Sequence, residues 1–382
     1  MLPLSQLRVL DFSTLLPGPL CTLMLAEAGA SVVKIERPGE GEAGRQKSTD
    51  SDEAVEFALL NKGKKSIAVD LKSPEGKKTI LQLAARADVI LEQFRPGVMK
   101  RLGLGYEDLA AINPRLIYCS ISGFGQDGPL VQKVGHDLNY VARTGMLALA
   151  REESGKPAFP HGHYADIGGG TYPAFVNIVL AVLQREQTGR GQHLDIAMAE
   201  NTFFWMRRPM APVLLGKALD RTKPLPTSGD SPRYGVYGAS DGTWLSVAPL
   251  EEKFWQRFCE LIEQPEIIEV ERRDPAKARS MIQAALSTKT GAEWDAIFAT
   301  EEVCVELVRD LRDSMDDEQF VARGVFSRRL RLRSGQEVPS LPLPLQRSFV
   351  APETESYPLV GEHNGEIDSL WVGPGYGKAP AR

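Results

Sequence analysis

Between Leu7 and Met198 the chain alternates short apolar runs rich in Val, Ile and Leu with helix-patterned stretches, and nothing else in it restricts the fold so strongly. Strands linked through helices pair in parallel, because a parallel connection needs a crossover of a dozen or more residues. Leu7–Phe12 reads as a first strand, ended by Pro17-Gly18-Pro19. Leu20–Ala28 reads as a buried helix stopped by Gly29. Ser31–Glu36 and Ser66–Leu71 supply further strands, and Ser73-Pro74-Glu75 has the N-cap serine, first-turn proline and acidic residue of a helix start. Asp88–Phe94, Leu116–Ser122 and His193–Met198 continue the strand series. Thr171–Leu183 is apolar on nearly every side, which predicts a helix buried all round. The fold class expected is α/β, with a large Rossmann-like parallel-sheet domain over residues 1–200.

The pattern then changes. A linker is expected at 201–225, and Lys223–Pro232 is rich in Pro, Gly and Ser. Asp241-Gly242 before Trp244–Val247 signals a hairpin. Residues from Glu251 to about Arg312 read as amphipathic helices, which predicts a smaller α+β domain over 226–330. The last dozen residues, rich in Gly, Pro and Lys, read as a loose tail. A length of 382 residues suits two such domains.

Composition narrows the function. Cys21, Cys119, Cys259 and Cys304 form no C-x-x-C pair, which argues against a zinc site or a disulfide frame and for a reducing compartment. A net charge of −5 disfavours nucleic acid, so an anionic ligand must be met by a local basic patch. No run approaches the roughly 18 apolar residues of a membrane span. The N-terminus shows no signal peptide and the chain ends Ala379-Pro380-Ala381-Arg382 without a peroxisomal signal, so a cytoplasmic location is expected, without membrane attachment.

A nicotinamide cofactor is not expected. The turn Ser13–Pro19 lacks the glycine fingerprint, and Gly123–Gly128 spells it but runs into Pro129 instead of a helix. Arg37, directly after the second strand, and Arg95, each beside a Pro-Gly pair, suit bidentate contacts to phosphate. Lys62, Lys64, Lys65, Lys72, Lys100 and Arg101 would add charge, or are simply solvated lysines and arginine. His136 lies in Gly135-His136-Asp137-Leu138-Asn139-Tyr140, and Asp166 lies before Gly168-Gly169-Gly170. One imidazole and one carboxylate suit a site that takes a proton from one face of a carbon and returns one to the other. A helix-start histidine and a helix-capping aspartate are the competing readings. The three glycines would let a ligand approach the backbone and leave N–H groups for an anion. Glu251 and Glu252 are further acid candidates, or merely open a helix.

Several stretches together resemble the family III CoA-transferases. They are Pro17-Gly18-Pro19, Val32–Pro38, Val69-Asp70-Leu71-Lys72, Arg95–Val98 into Leu102–Gly105, Ser122–Gly125, Gly135–Tyr140 and Thr188–Gln192. The Gly135–Tyr140 stretch, with Asp166 and with Leu250-Glu251 before Phe254, resembles the alpha-methylacyl-CoA racemase branch. The resemblance implies an interlocked homodimer, in which residues 331–382 return to the large domain and the site lies between the large domain of one subunit and the small domain of the other. It implies that His136 and Asp166 are the acid/base pair, that Glu251 reaches His136 from the partner chain, and that the Asp137 N–H holds the thioester oxygen. Arg37 and Arg95 would meet CoA phosphates, Val69, Asp70, Leu71 and Lys72 would line the adenine pocket, and Gly135, Leu138, Asn139 and Tyr140 would contact the substrate.

The implied reaction interconverts 2R and 2S forms of a 2-methylacyl-CoA thioester through an enolate. It needs no cofactor or metal, since CoA is part of the substrate. The alternative is CoA transfer between carboxylic acids, with Asp166 as nucleophile. One departure from the racemase pattern stands at Thr227-Ser228-Gly229-Asp230-Ser231-Pro232, where the acyl group is expected to lie.

Overall fold

The computed structural model describes residues 1–46, 54–149, 154–218, 231–351 and 356–371. It contains two compact units, residues 1–205 with 321–382, and residues 206–320. The first is built on six strands: β1 (Arg8–Asp11), β2 (Ser31–Glu36), β3 (Lys65–Ala68), β4 (Val89–Glu92), β5 (Ile117–Ser122) and β6 (His193–Ala197). Their order is β3-β2-β1-β4-β5-β6, every pair parallel. This is the doubly wound order of the Rossmann fold, whose reversal between β1 and β4 opens a crevice outside the carboxyl ends of the strands. Every residue of β4 and β5 is buried, as a sheet covered on both faces requires. Pro17 and Pro19 sit in the first turn of helix α1 (Pro17–Glu27), where a missing N–H costs nothing, so this motif starts the helix as well as ending the strand's loop.

Helix α2 (Pro74–Ala84) follows β3 with Ser73 as its cap, the Oγ accepting the Gly76 N–H at 2.9 Å. Helix α3 (Asp137–Arg143) follows β5. Helix α4 (Tyr172–Thr188) continues directly from a π-helical segment, Tyr164–Thr171. The structure corrects the expectation that α4 is buried all round. Ala174, Ile178 and Ala181, at i, i+4 and i+7, face the core, while Val176, Leu180 and Leu183 form a second apolar row that is 50–59% exposed. One sheet can cover only one side of a cylinder, and among the described residues nothing covers the other. Because the glycines continue the helix, Tyr164–Thr188 is also, among the described residues, long and apolar enough by length and composition to cross a bilayer, contrary to the sequence expectation. One face of it is nevertheless packed into the core.

The C-terminal residues belong to this first unit. Asn364 brackets edge strand β3, its Oδ1 accepting the Ala68 N–H at 2.8 Å and its Nδ2 donating to the Ala68 carbonyl at 3.1 Å. Leu370 and Trp371 are buried in the cluster that contains Ile67 and Val69. The edge that would otherwise offer unpaired backbone groups is thereby closed. Residues 372–382, the expected tail, lie outside the described residues.

In the second unit, β7 (Gly235–Gly238) and β8 (Trp244–Val247) form the hairpin announced by Asp241-Gly242, and β9 (Val305–Leu307) joins it antiparallel. Helices α5 (Glu252–Leu261), α6 (Ile267–Arg273), α7 (Pro275–Leu286) and α8 (Gly291–Phe298) enclose a core of Trp255, Phe258, Trp294 and Phe298. The stretch expected as a linker is helical over Thr202–Met206 and Arg207–Leu214.

Candidate active site

α3 and the π-helical segment meet through one carboxylate. Asp137, the first residue of α3, is buried, and its Oδ1 accepts the N–H of Ala165 at 2.7 Å and of Asp166 at 2.9 Å. These N–H groups stand in the first turn of a helix, where no earlier carbonyl can take them. The side chain of Asp137 thus closes the head of the helix that carries Asp166, while its main chain begins the helix headed by His136. The Asp137 N–H has no acceptor among the described residues.

His136 is exposed at the start of α3, and two of its neighbours fix the turn that presents it. Asn139 Oδ1 accepts the His136 N–H at 3.0 Å, and Tyr140 Oη donates to the Gly135 carbonyl at 2.6 Å. Tyr140 is buried against Phe124, ring centroids 5.3 Å apart and nearly perpendicular. Behind Phe124, Ser122 Oγ accepts the Gly125 N–H and Asp195 Oδ2 the Gln126 N–H, at 3.0 and 2.9 Å. A side chain at Gly123 would overlap the Tyr140 ring, so the Gly123–Gln126 loop is shaped to support the His136 turn. Leu138 is exposed beside it.

Asp166 is partly buried. Burial and the nearby Asp137 carboxylate push its pKa up to about 6, against the opposite pull of His163 and His136. The same two carboxylates, with burial, raise Tyr140. His136, Asp137, Asp166 and Tyr140 therefore form one electrostatically coupled group. His163 is a member that motif-based expectation omits. The signal for it is its place three residues before Asp166, at the head of the π-helical segment.

The glycine run has a different role from the one expected. A Cβ at Gly169 would overlap the Met198 carbonyl, one at Gly170 would crowd Met198 and Pro17, and one at Gly168 would press on the Trp205 indole. Protein, not ligand, occupies the space these glycines leave free. Asn201 Nδ2 donates to the Gly169 carbonyl at 2.8 Å and Trp205 Nε1 to that of Gly168 at 3.3 Å, which locks the segment further.

The expected CoA contacts follow the carboxyl ends of the strands. Arg37 is exposed after β2, Arg95 after β4, and Val69 to Lys72 follow β3, with Val69 buried and Asp70 and Lys72 exposed. Asp70 Oδ1 accepts the Lys72 N–H at 2.9 Å and so shapes that turn. Lys100 and Arg101 are exposed on the short helix after Arg95. Lys62 and Lys64 do not join them. Lys62 is buried in an ion pair with Glu27, and Lys64 Nζ is buried among Asp11 Oδ2 at 3.2 Å, Thr22 Oγ1 at 2.7 Å and Asn61 Oδ1 at 2.9 Å. Burial lowers the Lys64 pKa to about 8 even beside Asp11. Lys65 pairs with Glu366 at 2.6 Å. A phosphate site cannot draw on the two buried lysines.

Glu251 belongs to the second unit, exposed at the N-cap of α5, while Glu252 is tied to Arg233 at 2.8 Å. Thr227–Asp230, most of the departing loop, lie outside the described residues, whereas the Ser231 and Pro232 carbonyls accept from Arg279 and Tyr237. Among the described residues no cluster of three or more His, Cys, Asp or Glu could hold a metal ion.

A family model described as CoA-transferase family III matches residues 4–364. The alpha-methylacyl-CoA racemase of Mus musculus is 34% identical over 374 residues, covering 95% of this chain and 92% of that protein. The succinyl-CoA:glutarate CoA-transferase of Mus musculus is 30% identical, covering 96% of this chain and 86% of that protein. The crystal structure of Rv3272 from M. tuberculosis, orthorhombic form, superposes with a TM-score of 0.83 at 29% identity, over 96% of this chain and 99% of that one.

Proposed function

The chain belongs to CoA-transferase family III, and on that premise we propose that it interconverts the 2R and 2S forms of a 2-methylacyl-CoA thioester by 1,1-proton transfer. One observation carries the reading: an exposed imidazole and a partly buried carboxylate, His136 and Asp166, come from separate segments joined by a single buried side chain, Asp137. A proton alpha to a thioester is too weakly acidic for either group unaided, so the enolate oxygen needs a preorganised donor. Such a donor is typically worth about 3 kcal/mol of barrier. The Asp137 N–H, at the first turn of α3, is that donor in this reading. His136 removes the proton from one face of the carbon and Asp166 delivers one to the other, with the roles exchanged for the opposite enantiomer.

CoA lies along the carboxyl ends of β2, β3 and β4, its phosphates on Arg37 and Arg95 and its adenine at Val69–Lys72. The protein acts as an interlocked homodimer in which Glu251 of the partner subunit approaches His136. The uncovered row Val176, Leu180 and Leu183, with Phe204 and Trp205 also exposed, supports a second chain on this unit. Sedimentation as a monomer at micromolar concentration would remove that support. Four unpaired cysteines accord with a reducing, cytoplasmic setting.

CoA transfer between carboxylic acids is the second reading, favoured by transferase relatives of nearly the same identity. There Asp166 attacks the thioester, forming an acyl-aspartyl anhydride and releasing the CoA thiolate. One assay separates the two. Purified protein is incubated with a 2-methylacyl-CoA in deuterated water and the alpha position is followed. Label uptake without added acid, abolished in His136→Ala, is expected. No uptake, but thioester exchange with added carboxylic acids, overturns the racemase reading in favour of transfer.

A further inference from the structure

We propose that the Asp137 carboxylate, beyond the backbone role given to this residue above, is a positioning residue that clamps the Asp166 turn to the helix headed by His136. The inference rests on the proton-transfer reading for its kinetic consequences but not for its structural ones. Asp137 Oδ1 takes two N–H groups at once, 2.7 Å from Ala165 and 2.9 Å from Asp166, and the residue is 9% exposed. A charged acceptor receiving two backbone donors away from water is a strong, geometrically demanding contact. Its position in the chain gives it its effect. His136 is one peptide from the acceptor and Asp166 owns one of the donors, so neither can shift relative to the other without breaking the clamp.

Among the described residues no other hydrogen bond ties these two residues so directly. The Tyr140–Gly135 bond holds the His136 turn to its own helix, and the Thr171 Oγ1–Asp166 carbonyl bond, 3.3 Å, lies within the Asp166 segment. The clamp is also a charge. The groups bearing on Asp166 are Asp137, which disfavours its ionisation, and His163 and His136, which favour it, while Tyr140 lies within reach of both carboxylates. One side chain therefore does two separable things: it fixes spacing through an acceptor oxygen and biases protonation through its charge.

Asp137→Asn keeps an acceptor oxygen and removes the charge, whereas Asp137→Ala removes both. In alpha-deuterium exchange, Asp137→Ala is expected to lose about a hundredfold in kcat, the cost of an error near 1 Å in reacting groups. The KM for acyl-CoA should stay within about threefold, because the substitution keeps the Asp137 N–H and leaves Arg37, Arg95 and Val69–Lys72 unchanged. Asp137→Asn should regain at least about tenfold of that loss and move the Asp166-dependent limb of the kcat profile to lower pH. Wild-type exchange in Asp137→Ala, or an Asp137→Asn as slow as Asp137→Ala with an unmoved limb, overturns the proposal. Backbone amide hydrogen exchange supplies a readout independent of the reaction. Ala165 and Asp166 should be protected in the wild type and in Asp137→Asn, and should open selectively in Asp137→Ala. Protection unchanged in Asp137→Ala, or absent already in the wild type, refutes the clamp. A wild type with protected amides but no alpha exchange refutes the racemase reading and leaves the clamp established.

Discussion

Gly169→Ala should disable the site without touching any polar side chain in it. A Cβ at this position lands about 1 Å inside ordinary van der Waals contact with the Met198 carbonyl oxygen. It also lies 3.1 Å from the Met198 carbonyl carbon and 3.3 Å from its Cα. The obstacle is main chain, so no rotamer change relieves it. Either the π-helical segment withdraws by about 1 Å or the helical turn that Met198 opens after β6 does. Overpacking of this kind costs about 1–3 kcal/mol of stability. Withdrawal also strains the Asn201–Gly169 bond and carries Asp166, three residues earlier, away from Asp137. A displacement near 1 Å is worth about a hundredfold in rate, or about 2.7 kcal/mol of barrier. Gly168→Ala is the internal control. Its Cβ meets the Trp205 indole at 2.9 Å, and that side chain, about half exposed, can swing aside at the cost only of its long 3.3 Å bond to the Gly168 carbonyl. Helical propensity returns up to about 1 kcal/mol. The assay pairs thermal unfolding with alpha-deuterium exchange for both variants. Gly169→Ala should melt lower and exchange slowly, while Gly168→Ala should stay near wild type in both. Two variants indistinguishable in melting temperature would refute the packing argument, whatever the reaction proves to be.

Arg37→Ala should weaken CoA binding, most visibly at low salt, and should shrink the wild-type preference for CoA over 3′-dephospho-CoA. Equal wild-type affinity for the two ligands would remove the phosphate assignment. Lys64→Met should behave in the opposite way, because it leaves Asp11 buried without one of its two lysine partners. Breaking a buried pair of this kind costs about 3–5 kcal/mol, so chemical denaturation should show a loss of that order, and an unchanged midpoint would contradict the buried network.

The sheet was legible in the sequence because each strand is a short apolar run closed by a turn signal, and parallel pairing follows from helices between strands. The motif around His136 was legible too, since a histidine beside an aspartate among small residues is uncommon in a chain with five histidines. What the sequence concealed was partnership across the fold. Lys64 looks like any surface lysine until the fold brings Asp11, 53 residues earlier, to its ammonium group. The carboxylate of Asp137 is similarly mute, because the N–H groups it holds lie 28 and 29 residues away. Gly168–Gly170 resembles an anion nest in one dimension, and only the passage of Met198, Pro17 and Trp205 across it shows that the missing side chains make room for protein. The helix from Tyr172 failed in another way. Its apolar pattern was read as burial, yet a pattern records what avoids water, not whether the cover comes from the same chain.

The protonation state of Asp166 bears on which chemistry this scaffold performs. A clamp that fixes a carboxylate serves a nucleophile as well as it serves an acid/base, so position alone does not choose. Asp166 raised to about 6 is protonated in about a tenth of molecules at pH 7, against fewer than about one in a thousand for a carboxyl at its ordinary 3.8. A nucleophile gains nothing from that protonated fraction, since it attacks as the anion. A residue that must donate a proton in one direction and accept it in the other gains about a hundredfold in its donor form while remaining mostly available as a base. Removing the Asp137 charge should therefore separate the reactions by direction. In Asp137→Asn the half-reaction that uses Asp166 as acid should slow relative to the half-reaction that uses it as base, when each enantiomer of the thioester is followed in deuterated water. Equal effects in both directions, with transfer to added carboxylic acids undiminished, would mean that Asp166 works as the anion throughout and that the bond it makes is to carbon.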